Sequence, residues 1–382
     1  MYPDVVIIGG GIIGCSCAYY LSREGVKVHL VERESLASGT SGACEGNILR
    51  WNRQPGIEMR LAIASASLYE RLSCELPLDI EYERRGCVLI AENPEGLSGV
   101  VQRVKSLQGE GIPCQMVDRD ELIRLEPNLA RDIAGGAFFP DEAQVNPMLV
   151  TFALARAAKE NGAVIQTFTE ARGIELSPEG AVMAVDTTAG RVPTRAVVNA
   201  AGAWSNAIGE MVGLDIPIIP RKGHIVVTEP VAGVINHTVM EAGYTQTVRE
   251  DRGGLAIAIA IEHTRSGNIL LGSSREFVGF DRSVSPHAVE GIVSRALRFF
   301  PILKRLHAIR IYTGLRPYTP DRLPIIAEAD AVRGFYVAAG HEGAGICLAP
   351  ITGKLISQMI TGQKTDLPVG ELSLSRWRNS TR

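Results

Sequence analysis

Excess charge, aromatic residues, paired cysteines and long apolar runs are all scarce in this chain, and each shortage removes a class of function. The 382 residues carry a formal net charge of −3, which gives no electrostatic reason to expect nucleic acid or an anionic membrane as a partner. Aromatics make up only 5% of the chain against 46% hydrophobic residues overall. The core must therefore come from Val, Ile, Leu and Ala, as in α/β proteins. Cys15, Cys17, Cys44, Cys74, Cys87, Cys114 and Cys347 form no CxxC and no Cys/His cluster. No metal site is expected, neither a structural zinc nor an iron–sulfur cluster, and the thiols read as reduced and mostly buried. No run approaches the ~20 apolar residues of a membrane span. The longest, GGLAIAIAI at 253–261, ends at Glu262. The first strand begins near Asp4 and leaves no room for a signal peptide. These absences lead to the expectation of a soluble, cytoplasmic protein, docked at the inner face of a membrane only through a partner.

What the chain does have is glycine, 40 residues of it, concentrated at turns. Residues 4–32 read as a βαβ unit. VVIIGG is a continuous apolar strand of the type buried on both faces of a parallel sheet. IIGCSCAYYLSREG is a helix ended by Gly25, and KVHLVE is the next strand. Gly9, Gly11 and Gly14 form GxGxxG between the first strand and the helix, and Glu32 ends the second strand. Gly9 permits the tight turn, Gly11 lets a pyrophosphate approach the backbone, and Gly14 lets helix and strand pack closely. The helix N-terminus favours the diphosphate charge, and Glu32 can accept from the hydroxyls of an adenosine ribose. A dinucleotide site follows from strand, glycines, helix and acid together.

A second loop of the same kind stands at the other end of the chain, in GFYVAAGHEGAGICLAPITGKLI (334–356). Between the two, the sequence changes texture. Apolar residues at helical spacing cover about 56–76 and 148–160, RAVVNAAGAW (195–204) returns to a buried strand and turn, and 223–290 is dominated by strand-like alternation. The expected fold class is α/β. A Rossmann-like dinucleotide-binding domain would be assembled from 1–78, 146–220 and 314–382, and a discontinuous β-rich substrate domain from 79–145 and 221–313. Only the tail after about Ser373 reads as loosely ordered.

Four segments in this order, VVIIGGGIIG…VHLVE, VVNAAGAWS, TGLRPYTPD and AAGHEGAGICLAPITGKLI, resemble the FAD-dependent D-amino-acid oxidase and glycine/sarcosine oxidase superfamily over nearly the whole chain. The wording of CEGNILRWNRQPG, PIIPRKGHIVVTEP and ILLGSSREFVGFD is most similar to the catalytic subunits of D-hydroxyproline dehydrogenases, opine oxidases and hydrogen cyanide synthase. The resemblance implies FAD held by Gly9, Gly11, Ile12, Ile13, Gly14 and Glu32, with Ser38, Thr40, Ser41, Gly42 and Gly46 around the pyrophosphate and ribityl chain. Ala171, Ala201 and Gly202 would lie under the adenine and diphosphate. Gly340, His341, Gly343 and Gly345 would pass under the isoalloxazine ring, and the helix after them would present its N-terminus to the ring with Pro350 in or near its first turn. Relatives with covalent flavin place a Cys where this chain has Gly314, so non-covalent FAD is implied.

By the same resemblance Arg316, in GLRP, would hold a substrate carboxylate through its guanidinium fork. His224 would be a polar group near the ring, Tyr244 a second substrate contact, and His341 a neighbour of the reacting atoms. The implied reaction is dehydrogenation of an amino acid or secondary amine at its Cα–N bond by hydride transfer to flavin N5, giving an imine. Such relatives often work with small partner subunits that carry iron–sulfur chemistry. The alternatives left open are a stand-alone oxidase of the glycine/sarcosine type that releases peroxide, and a non-catalytic flavin-binding subunit of a larger complex.

Overall fold

The computed structural model describes residues 2–245 and 254–377. Gly253 of the longest apolar run and the last residues of the tail lie outside them, while Leu374–Trp377 forms a turn of 3₁₀ helix.

Val5–Ile8 is buried on both faces and pairs in parallel with Val28–Val31 on one side and Ala196–Asn199 on the other. Phe335–Ala339 and Val164–Gln166 extend the sheet in parallel, and Ile325–Glu328 closes one edge antiparallel. From Val5–Ile8 the chain passes first to one neighbour and much later to the other, so the carboxyl end of this strand is the switch point where an open α/β sheet leaves a crevice. Gly9 sits there at φ +116, where a Cβ would come within 2.5 Å of the Ala200 carbonyl oxygen. Gly14, in the helix Ile12–Arg23, lies so close to the turn that a Cβ would fall 1.9 Å from the Gly9 carbonyl oxygen.

The helix Gly345–Ile360 packs across Ile12–Arg23 at small residues. Ser16 Oγ donates to the Ala349 carbonyl at 2.8 Å, and Gly353 leaves the room for that hydroxyl. This crossing brings both glycine loops to one sheet edge. Glu342–Ile360, which includes the preceding 3₁₀ turn, is long and apolar enough to cross a membrane by length and composition, yet 72% of its most apolar 18-residue stretch is buried inside the protein. It is the core helix beneath the sheet. Pro350 falls in its second turn rather than its first, because the helix begins only at Gly345. The Ile346 carbonyl, which a residue-350 amide would otherwise take, accepts instead from the buried Tyr69 hydroxyl at 2.6 Å. A partner from Ile57–Glu75 thus removes much of the cost of a helix-interior proline.

An eight-stranded sheet forms the second layer, in the order 308–318, 219–228, 269–275, 256–263, 238–241, 87–91, 135–139 and 115–117. It is antiparallel except where Thr238–Glu241 meets Cys87–Ala91. The amphipathic helix Pro286–Phe299 buries Ile292, Ala296 and Phe299 against one face. Ala308–Tyr318 pairs with Ile219–Thr228 along its length, Arg221 opposite Arg316 and Gly223 opposite Gly314. The GLRP segment therefore hangs from this second sheet. The sequence-based boundaries at 221 and 314 cut through two strands that run without a break from 219 and to 318.

Candidate active site

One cavity runs from the end of Val28–Val31, across the mouths of both glycine loops, to the face of the eight-stranded sheet. At its first end, Gly9, Gly11, Ile12, Ile13 and Glu32 line it, joined by Ser38, Thr40 and Ser41. The helix Ile12–Arg23 has no capping side chain of its own at Gly11. Ser41 Oγ accepts from the Ile12 amide at 3.0 Å, which pins the 38–42 segment over the helix end. The Glu32 carboxylate accepts from the Gly10 amide at 2.6 Å and the Glu34 amide at 2.8 Å. Ala171, Ala201 and Gly202 line the same stretch. Trp204 closes it, with the Arg33 guanidinium 4.2 Å above its ring and Phe280 stacked on it at 5.6 Å.

At the other end, His341, Gly343 and Gly345 line the cavity opposite Arg316 and Tyr244. Arg316 Nη1 donates to the Ser274 carbonyl at 2.9 Å. Its guanidinium occupies the space that a side chain at 223 would fill, since a Cβ on Gly223 would come within 2.2 Å of Nη1. Gly343 lies on its far side, with its Cβ position 3.8 Å from Arg316 Nε. The Tyr244 hydroxyl accepts from Arg275 Nη2 at 2.9 Å, and the Arg275 guanidinium stacks 4.8 Å over that ring. His341 is buried. Its Nε2 pairs with Thr352 Oγ1 at 2.9 Å, and because that hydroxyl donates to the Leu348 carbonyl, the network assigns the proton to Nε2. Burial pushes the His341 pKa down to about 3, so the ring is neutral at ordinary pH and hydrogen-bonds only as an uncharged group.

Five residues expected at the site do not line this cavity, each for a visible reason. His224 lies between Gly223 and Ile225, which face the cavity, so strand alternation turns its ring away. It is fully buried, pairing through Nδ1 with Ser274 Oγ at 2.9 Å and accepting from the Ser285 amide at 3.0 Å on Nε2. His224 is thus a structural histidine that ties the Ile219–Thr228 strand to its neighbours. Gly14 serves the helix–strand contact. Gly42 and Gly46 allow close backbone passage, their Cβ positions lying 2.4 Å from the Ala37 carbonyl oxygen and 1.7 Å from that of Val145. Gly340 takes φ +83 against Thr319.

The structure also brings in residues that the sequence reading passed over. Glu342 lines the cavity, and its Oε1 lies 3.5 Å from Arg275 Nε and 3.7 Å from Arg221 Nη1. Burial raises its pKa, but Arg275, Arg316 and Arg221 outweigh that and hold it below the usual carboxylate value. Arg53 and Asn52 complete the wall near Tyr244, with Asn52 Oδ1 buried and without a hydrogen-bond partner. The acid beside His341 in GHEG was the available signal for Glu342. Nothing in the sequence marks Arg275 or Arg221.

This donor set fits FAD. Two helix N-termini whose N-cap residues, Gly11 and Ala344, bring no capping side chain open on one cavity, one positive end for diphosphate and the other for the electron-rich edge of a ring. A carboxylate stands where a ribose would lie, and glycines occupy the closest backbone approaches.

Comparisons with known proteins agree. The family model described as FAD dependent oxidoreductase (DAO) matches residues 4–359. The chain is 31% identical over 381 residues to glycine oxidase of Geobacillus kaustophilus, covering 98% of this chain and 97% of the relative. It is 28% identical to the hydrogen cyanide synthase subunit HcnC of Pseudomonas aeruginosa, covering 98% and 96%. The solved L-proline dehydrogenase from P. horikoshii superposes with a TM-score of 0.90 at 26% identity, over 99% of this chain and 98% of that one. A cavity built between two glycine loops and a carboxylate, matched from end to end by flavoproteins, leaves one assignment: the chain belongs to the family of FAD-dependent oxidoreductases.

Proposed function

We propose that this enzyme dehydrogenates an amino acid or carboxylate-bearing secondary amine at its Cα–N bond, giving an imine that water hydrolyses, with D-proline, D-hydroxyproline or an opine-like compound as the substrate type. One observation carries the reading. Arg316 sits on the cavity wall between Gly223 and Gly343, with one guanidinium nitrogen anchored on the Ser274 carbonyl. A guanidinium held by one edge offers the rest of its fork to a planar carboxylate. FAD, when bound, supplies the two-electron acceptor. The chain's own part is to hold the carboxylate at Arg316, to place the amine between that anchor and the His341–Gly345 loop, and to keep water out with Met240, Leu49 and Tyr244. Positioning of this kind accounts for most of what a protein contributes when the cofactor carries the chemistry.

The names of the relatives support an amino-acid substrate: glycine oxidase and L-proline dehydrogenase act on small amino acids by title. HcnC is titled a subunit, which supports a partner subunit for this chain. The test is anaerobic titration of the purified protein with glycine, sarcosine, D- and L-proline, cis-4-hydroxy-D-proline and an opine, following the flavin absorption, with pyrrolidine as the analogue lacking a carboxylate. Bleaching by one secondary amino acid and not by pyrrolidine is expected, and readmitted air shows whether oxygen is the acceptor. Bleaching by pyrrolidine at equal concentration overturns the carboxylate reading.

A further inference from the structure

Behind the substrate end of the main cavity lies a second, smaller one, and Ser41 and Cys44 line both. The wall between them is the backbone from 41 to 46, and two carboxylates stand at this wall. Glu45 lines the main cavity. Its Oε1 is buried with no hydrogen-bond partner, in a space that exists because residue 272 is glycine: a Cβ there would come within 2.0 Å of that oxygen. Glu262, on the Ala256–His263 strand, lines the second cavity at 3% exposure, and its Oε2 accepts from the Gly46 amide at 2.8 Å. One acid faces the substrate region, and the other stands immediately behind it, toward a separate opening.

Resting on the amine reading above, we propose that Glu45 accepts the proton which the substrate ammonium must lose before its Cα–N bond is oxidised, and that Glu262 passes a proton on to the second cavity. An alkylammonium keeps its proton to about pH 10, and while it does so its nitrogen has no lone pair to become an imine. In the proposed step the ammonium N–H bond breaks and its electron pair stays on nitrogen, while an O–H bond forms at Glu45. Nothing is oxidised in that step.

Among the described residues at this end of the cavity the alternatives are poor. His341 is held neutral by burial and is far too weak a base. His224 faces away. The Tyr244 hydroxyl is engaged by Arg275. Glu342 is bound up with Arg221, Arg275 and the Gly343 amide.

The surrounding charges order the pair. Burial raises both carboxyls, and two buried carboxylates side by side cannot both ionise cheaply. Arg316 and Arg275 offset part of that at Glu45, whose pKa nonetheless stays above the usual carboxylate value. Glu262 is raised to about 8 by burial and by the Glu45 charge, against the pull of Arg85. Arg316 and Arg275 favour the charged form of Glu45, whereas the Glu45 charge disfavours that of Glu262, so the negative charge of the pair is drawn toward Glu45, facing the substrate. Cys44 and Tyr312, the other titratable neighbours, are pushed upward by burial and stay uncharged. Glu81 and Arg265 stand on the second cavity. Once Glu45 is protonated, its charge no longer adds to burial in raising Glu262, and Glu262 releases its proton more readily than before. The two titrate as a unit.

The experiment compares the holoenzyme with Glu45→Gln and Glu262→Gln in anaerobic stopped-flow flavin reduction from pH 6 to 10. Glu45→Gln, with its flavin content intact, is expected to slow reduction at pH 7 by about 100-fold, the usual scale for a positioned base. The deficit should shrink as pH nears the substrate amine's own pKa. Glu262→Gln, which removes the group that carries the proton away, should also slow reduction at pH 7, by less than Glu45→Gln, and should lose an inflection near pH 8. Independently of turnover, the infrared spectrum of the resting protein should show a buried carboxylic-acid carbonyl band at pH 7 that fades near pH 8 and is absent from Glu262→Gln. A Glu45→Gln rate within about threefold of wild type at pH 7 overturns the proposal, as does a carbonyl band that survives in Glu262→Gln. If no amine reduces the wild-type flavin, the amine reading is itself overturned and the proposal falls with it.

Discussion

Replacing Glu342 by Gln removes the anion that balances the guanidiniums of the substrate end, and the structure sets two effects of opposite sign. The carboxylate Oε1 lies 3.5 Å from Arg275 Nε and 3.7 Å from Arg221 Nη1. At an effective dielectric of about 20, each contact corresponds to roughly 4–5 kcal/mol of gross Coulomb attraction. Desolvation consumes much of that, and removing one partner of a buried pair costs about 3–5 kcal/mol in practice. The low end applies here, because these contacts are too long for hydrogen bonds and both Glu342 Oε1 and Arg275 Nε lack one. With about 2.1 cal/mol/K of unfolding entropy per residue, a loss of ~3 kcal/mol lowers Tm by about 4 °C. The same change adds a unit of positive charge beside Arg316, so a non-reacting carboxylate such as acetate should bind about 3–10-fold tighter, or roughly 0.7–1.4 kcal/mol. Thermal unfolding and titration of the flavin absorption measure the two effects on one preparation. An unchanged Tm, or weaker carboxylate binding, would refute the view that Glu342 neutralises a surplus of cations at this end of the site.

Other expectations follow from buried polar groups. The native His341 pKa, near 3, lies well below the ordinary histidine value. The unfolded chain therefore takes up a proton as pH falls below about 6.5 while the native ring does not, and stability is lost progressively from there toward pH 3. His341→Gln should flatten that limb of the stability–pH curve, and an identical slope in both proteins would contradict a neutral buried imidazole. Tyr69→Phe should leave the Ile346 carbonyl, which Pro350 cannot serve, without a partner. That costs about 1–3 kcal/mol in denaturant unfolding, and a loss under about 0.3 kcal/mol would show that the proline is tolerated for another reason.

Most of the first glycine loop was legible because its chemistry is local. The turn at Gly9, the helix–strand approach at Gly14 and the acid at Glu32 each follow from neighbours within one βαβ unit, and the structure sets them at one sheet edge. Arg316 and Tyr244 were singled out through motif resemblance and do line the cavity. His224 was misplaced by a single step of strand alternation, which a segment such as RKGHIVVT does not reveal when it is buried on both faces. Pro350, expected in or near the first turn, falls early in the second because a 3₁₀ turn precedes the helix and uses up residues 342–344. The Arg221–Glu342–Arg275 cluster joins three segments far apart in the chain, and the Glu45–Glu262 pair joins two. No local spacing encodes either.

The most direct measurement is the affinity of the Arg316→Met protein for a carboxylate ligand, compared with wild type at equal flavin content. Loss of a desolvated charge-assisted fork should cost about 2–5 kcal/mol, a rise of at least 30-fold in Kd for the amino acid that bleaches the wild-type flavin. Full flavin occupancy together with that loss of affinity is expected. Full occupancy with unchanged affinity for the same amino acid would contradict it.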